Sequence, residues 1–229
     1  MTLWLTSLTP NLDHRDTLTD LADVTRLHRR LMSLFPDSLG ASARSAAGLL
    51  FRVETAANSV RVLIQSSIQP DLSLLPHRYG HAETTRLDGF LQMLTTGMTV
   101  RYRITANPSK QLPRGHPGPG HPGQRVALRG AQAEAWWRKR ADHAGLTLTN
   151  VVMLPRQDLV GQQTGQISKA SQKEIRHAAA QYDGTATIQD VDTVRDAISK
   201  GIGRGKPYGC GLLSLAPIHR SYLSPHTRG

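Results

Sequence analysis

The run RLHRR at 26–30 holds the most reactive arrangement in this sequence: His28 followed at once by Arg29 and Arg30. An imidazole with an ordinary pKa of ~6.5 gives or takes a proton near neutral pH. Two permanent cations beside it suit general acid–base work on an anionic substrate. The same histidine also fits a packing role. Leu21, Val24, His28, Leu31 and Phe35 fall at helical spacing, and a histidine on such an apolar stripe is commonly a core residue. Both readings stay open on the residues alone.

The second candidate is GIGRGKPYGCG at 201–211, where five glycines surround Arg204 and Lys206. Glycine lets successive backbone N–H groups converge on an anion, and the two cations add charge. Gly203, Arg204, Gly205 and Lys206 are therefore candidate phosphate contacts. Nucleotide-binding patterns do not fit. A phosphate-binding loop ending in Gly205-Lys206 would need glycine where Lys200 stands and a hydroxyl where Pro207 stands. The stretch also follows a helical pattern and precedes a strand, so no helix N-terminus faces it. The competing structural reading is a helix cap at Gly201 followed by a tight turn.

No metal centre is legible. Cys210 is the single cysteine, and His77 and His81, four apart, have no third donor nearby. His116 and His121 fall in a Pro/Gly-rich loop. No cofactor is expected. Trp136 and Trp137 could stack on bases, although adjacent tryptophans on a helix commonly send one ring into the core.

The charge is uneven. The formal net charge is +11, with 22 arginines among 28 basic residues. Residues 1–95 carry nine basic and nine acidic side chains, whereas 96–229 carry nineteen and eight. A neutral half joined to a cationic one points to a polyanionic partner for the second. No run approaches the ~20 apolar residues of a membrane span, so no membrane partner is expected. The opening MTLWLTSLTPNLDHRD has no basic leader, and a lone cysteine fits a reducing, cytoplasmic setting.

Hydrophobic periodicity supplies the elements that would position these groups. Residues 2–6 alternate as a strand. A helix is predicted from about Leu21 to Phe35, closed by Pro36. Residues 49–54 and 60–65 read as a hairpin, and Glu83–Leu94 as a second helix. This half therefore reads β-α-β-β-α, one strand short of a ferredoxin-like unit. In TVRYRIT (99–105), Val100, Tyr102 and Ile104 face one way, and Arg101 and Arg103 the other. That places both arginines to follow a phosphate backbone. A loop at 113–124, a helix at 131–144 and a strand at 146–154 follow, then an ambiguous basic segment at 155–176 that includes Lys169. A strand around 178–188, a helix at 191–200 capped by Asp190 and a strand at 212–218 close the chain. The fold class expected is α+β, in two units at 1–95 and 96–229.

Four stretches, LADVTRLHRRLMSLFP (21–36), GLLFRVE (48–54), VRYRITANPSK (100–110) and GIGRGKPYGCGLLSLAPI (201–218), occur in this order. Together they resemble the CasE family, the repeat endoribonuclease of the type I-E CRISPR Cascade complex. The resemblance implies tandem ferredoxin-like (RRM-like) domains. It also implies metal-independent cleavage of precursor crRNA at the base of a repeat stem-loop, through 2′-OH attack that leaves a 2′,3′-cyclic phosphate and a 5′-OH. By it His28 corresponds to the catalytic histidine. Arg29 and the 203–206 loop correspond to RNA-contacting positions, and Arg30, Arg101, Arg103, Lys110 and Lys169 extend the expected RNA-binding set. The partners implied are the CRISPR precursor RNA stem-loop, with the cut crRNA retained, and other Cascade subunits. One departure stands out. Where the family often has tyrosine three residues before the histidine, this chain has Thr25, which cannot exchange a proton at ordinary pH. A non-catalytic RNA hairpin-binding subunit is the alternative.

Overall fold

The computed structural model describes residues 2–57, 59–115, 121, 123–155, 159–162 and 174–218. For 155, 159–162 and 174–177 it describes the backbone alone. The first half runs β1 (Trp4–Pro10), α1 (Arg15–Ala22), α2 (Val24–Met32), α3 (Ala43–Ala46), β2 (Leu50–Ala56), β3 (Ser59–Ser66), β4 (Gly80–Arg86) and α4 (Asp88–Met93). Its sheet has the order β2-β3-β1-β4, antiparallel throughout. This is the strand order of a ferredoxin-like unit, with the second crossover helix shortened to a 3₁₀ turn at Leu72–Leu74.

Two expectations need correction here. The helix expected over Glu83–Leu94 begins only at Asp88. Glu83–Arg86 belongs to β4 and supplies the strand the sequence reading lacked. Thr84 pairs across the sheet with Thr6, hydroxyl to hydroxyl at 2.8 Å, so β-branched residues suited to a pleated edge outweigh the leucine spacing. The helix expected from Leu21 is two helices. Asp23, in extended backbone, breaks them and caps α2 by accepting from the N–H groups of Thr25 and Arg26.

The second half runs β5 (Thr99–Ala106), β6 (Ser109–Gln111), β7 (Arg125–Ala127), α5 (Gly130–His143), β8 (Leu146–Pro155), β9 (Leu159–Gln162), β10 (Glu174–His177), β11 (Ala180–Ile188), α6 (Val191–Lys200) and β12 (Leu213–Pro217). Its main sheet has the order β12-β5-β11-β8, again ferredoxin-like. The chain is thus a tandem α+β fold of two such units. Short hairpins β6-β7 and β9-β10 project from the second. The first lies around the Pro/Gly-rich loop, and the second falls within the segment left ambiguous.

Each sheet packs its helices over its own core. Leu8, Leu27, Leu31, Phe51, Val62 and Ile64 fill the first. Trp137 enters the second, stacked 5.5 Å from Tyr182, while Trp136 stays partly exposed. Leu91 and Leu94 of the α4 region also join the second core.

Arg52 ties the two halves together. It is 1 % exposed on β2. Its Nε and Nη2 donate to Glu54 (3.0 and 2.7 Å), its Nη1 to the carbonyls of Arg103 (3.3 Å) and Leu212 (3.1 Å), and its Nη2 also to the Ser214 hydroxyl (2.9 Å). Gln65 adds a second buried link, donating to the Ile198 carbonyl at 2.7 Å. Burial lowers the pKa of Arg52, while Glu54 opposes the shift, and a guanidinium stays charged regardless. Removing it takes the donor from three acceptors and leaves Glu54 with Arg103 at 3.6 Å. Arg52→Ala should therefore destabilise the protein by about 3–5 kcal/mol in denaturant unfolding. A change below about 1 kcal/mol would show that the halves are held by other contacts.

Candidate nucleic-acid site

His28 lies on the flank of α2. Leu27 and Leu31 carry the buried face, and the His28 ring is half-buried, 6.3 Å from that of Phe51 on β2. Burial first, and the nearby Arg44 charge second, hold its pKa down to about 4. The imidazole is therefore neutral at pH 7. Its Nε2 is buried with no hydrogen-bond partner among the described residues, and so is the hydroxyl of Thr25, one turn earlier.

The glycine-rich stretch meets this helix. α2 packs against the 3₁₀ turn at Lys206–Tyr208. Gly205 and Gly209 flank that turn in left-handed backbone, at φ of +76° and +79°, where any other residue would be strained. Gly209 lies against the Phe51 ring, with room for a Cβ only at 3.2 Å. Phe51 thus touches both the histidine's neighbourhood and the turn.

Gly201 caps α6, donating to Ala197. The amides of Ile202, Gly209, Cys210 and Gly211 are bonded within the fold. Those of Gly203, Arg204, Gly205 and Lys206 make no hydrogen bond among the described residues. The helix-cap reading of this loop is therefore met at Gly201, and the four amides that follow are donors of the kind that can receive an anion. Lys206 donates to the Lys200 carbonyl at 2.6 Å. Its pKa is lowered by burial and then by Arg44.

The other expected residues are placed as follows. Arg29 is exposed and lines a cavity of about 340 Å³ with Arg26, Arg30, Asp20 and Ser33. By helical geometry that face lies away from His28. Arg30 pairs with Asp20 at 2.8 Å and sits over the Tyr79 ring. Arg101 and Arg103 face outward on β5, as expected. Arg103 is bound bidentately by Asp183 at 2.8 and 2.9 Å, with Glu54 at 3.6 Å. Arg204 is exposed, and Gly203 rests on Trp136. Lys110 is exposed on β6 and borders a second cavity with Arg125, Trp136, Lys139, Arg140 and His143. Lys169 lies outside the described residues. No cluster of three His, Cys, Asp or Glu side chains that could hold a metal occurs among the described residues. No helix there is long and apolar enough to cross a membrane.

Sequence reasoning missed Arg44. It sits on α3, and its charge reaches both His28 and Lys206. Nothing in its local sequence, SARSA, marks it out.

A family model described as CRISPR associated protein matches residues 3–217. The chain is 29% identical over 223 residues to the CRISPR-associated endoribonuclease Cse3 of Thermus thermophilus, spanning 94% of this chain and 100% of that one. It is 27% identical over 203 residues to the Cascade subunit CasE of Escherichia coli K12, spanning 86% and 93%. The solved structure of Thermus thermophilus Cse3 bound to an RNA representing a pre-cleavage complex superposes with a TM-score of 0.77, at 28% identity over 95% of this chain and 100% of that one. The two-unit ferredoxin-like frame therefore has solved counterparts, and the chain belongs to the CRISPR associated protein family, in its CasE group.

Proposed function

We propose that this protein is a metal-independent endoribonuclease. In this reading it binds the stem-loop of a CRISPR repeat, cuts precursor crRNA beside it and stays bound as a Cascade subunit in the cytoplasm. The observation that carries the reading is the packing of α2 on the Lys206–Tyr208 turn. It joins a neutral imidazole from the first unit to cations and free amides from the second. The unit boundary is taken near residue 95, with the basic second unit gripping RNA.

The chemistry follows from that juxtaposition. His28 takes the proton of the 2′-OH at the cut site. The oxygen then attacks the adjacent phosphorus, and the bond to the 5′-oxygen breaks. That oxygen leaves with a proton from the imidazolium or from water, giving a 2′,3′-cyclic phosphate and a 5′-OH. Because the nucleophile is tethered to its target, alignment supplies much of the acceleration. Lys206 and the amides of 203–206 stabilise the charge that grows on the phosphate. Arg29, Arg101, Arg204, Lys110 and Lys169 are assigned to the RNA backbone. Arg30 and Arg103 would reach it from within their ion pairs. Recognition of an A-form stem rests on shape and phosphates, because its major-groove base edges are hidden.

A second reading, an RNA-gripping subunit that does not cut, is favoured by one observation. Thr25 stands where a phenol is common in the family, and its hydroxyl has no partner among the described residues.

With a repeat hairpin as substrate, EDTA should leave cleavage intact and a 2′-deoxy sugar at the cut site should abolish it. His28→Ala should lower the rate by about 10²–10⁴-fold while retaining affinity in a gel shift. Retarded but uncut RNA with the wild-type chain would decide for the second reading. The pH profile tests the base role separately. A depressed pKa keeps the imidazole unprotonated as pH falls, so the rate should hold through 6.5 and drop only towards about 4. A midpoint at the ordinary histidine value would contradict a shielded base.

A further inference from the structure

Ion pairing sorts the cations of this protein into two groups. Arg30, Arg52, Arg103 and Arg195 each hold a carboxylate. Arg44 and Lys206 hold none among the described residues, although both are only partly exposed. Arg44 is nonetheless fixed. Its Nη1 donates to the Leu49 carbonyl at 3.1 Å, and the Leu49 N–H donates back to the Arg44 carbonyl at 3.0 Å. This reciprocal pair sets the guanidinium at the entrance to β2, just ahead of Phe51, the residue that contacts both the His28 ring and Gly209.

The glycine-rich turn that carries Lys206 packs on α2, and the charge of Arg44, from α3, acts on both His28 and Lys206. The carboxylate on the helix packed beside α2, Asp20, is engaged by Arg30 and by the Tyr79 hydroxyl. It lies towards the far face of α2, so it does not neutralise this cluster. Like charges gathered without an acid repel one another. An anion placed between them relieves that repulsion, and a guanidinium is the side chain best shaped to grip phosphate oxygens.

We propose that Arg44 is a phosphate-binding residue of this site, donating from its free N–H groups to a non-bridging oxygen of the scissile phosphate while Lys206 serves the opposite side. The assignment rests on the nuclease reading above. Arg44 has a second effect in the same place. After burial, which acts first, its charge helps to keep His28 unprotonated and ready to accept the 2′-OH proton.

The test is single-turnover cleavage of a repeat hairpin across a pH series by wild type, Arg44→Gln, Arg44→Lys and His28→Ala. Affinity is read on the 2′-deoxy hairpin and folding by thermal melting. Glutamine keeps a polar, donating side chain but carries no charge. Arg44→Gln should slow the plateau rate by about 10²–10³-fold and weaken binding by less than it slows cutting. It should also shift the acid limb of the profile to higher pH, since the cation that opposed imidazolium is gone. Arg44→Lys, which keeps the charge and loses the fork, should recover part of the rate and leave the acid limb in place. It decides the question alone if the glutamine variant melts early. Wild-type rates and an unmoved acid limb in the folded Arg44 variants, beside an inactive His28→Ala, would remove Arg44 from the site and leave the nuclease reading standing. An inactive wild type would sink the reading and the Arg44 assignment together.

Discussion

The proposed site depends on the seam between the two sheets, and a buried arginine is its most heavily bonded link. Arg52 leaves β2 of the first unit and ends on backbone carbonyls at Arg103 and Leu212 of the second. Leu212 leads out of the glycine-rich turn into β12, and Phe51, the residue before Arg52, lies against both Gly209 and the His28 ring. One guanidinium therefore fixes the register between the strand behind the histidine and the segment carrying the cations. An apolar side chain could fill the same space but could not satisfy those acceptors, and their direction sets the register.

Given that seam, the division of labour between the units follows. The first supplies a capped helix with His28, the proposed proton-transfer group, on its flank. Its formal charge is balanced, and on the far side of α2 Arg30 is paired with Asp20. The second supplies the excess charge and the turn. Four consecutive amides without a partner among the described residues, next to a half-buried lysine, are the anion receptor proposed above. The left-handed glycines at 205 and 209 are what allow the chain to present it. Neither unit alone carries both His28 and the glycine-rich turn, the groups to which proton transfer and charge stabilisation are assigned above.

Much of this was legible beforehand. The strand at 99–105 read correctly down to the face of each residue, because strict alternation has one solution on a half-buried sheet. The caps at Asp190 and Gly201 were legible from residue type. The fourth strand was not, because Leu87, Leu91 and Leu94 carry a helical signal that spreads across Glu83–Arg86. What separates the two is pairing with β1, a partner far away in the chain. Asp23 was hidden for a similar reason: a cap inside a helical stripe looks like a surface residue. At the site, His28 and Lys206 announce themselves by their neighbours in sequence. Arg44 does not, and neither do the pairings that engage Arg30 and Arg103. Those properties arise only when Asp20, Asp183, Glu54 and the glycine-rich turn arrive from elsewhere.

The chemistry asks little of the protein beyond this geometry. It needs a neutral base, a bent phosphodiester and donors for the growing negative charge, and the seam brings together groups suited to each. The most direct measurement is the chemistry of the RNA ends left by the purified protein, determined by sequencing with and without enzymatic removal of terminal phosphates. The account predicts one cut position beside the repeat stem, a 2′,3′-cyclic phosphate upstream and a 5′-hydroxyl downstream. A 3′-hydroxyl paired with a 5′-phosphate would mean that water or an activated solvent nucleophile attacks instead, and would contradict the role given to His28.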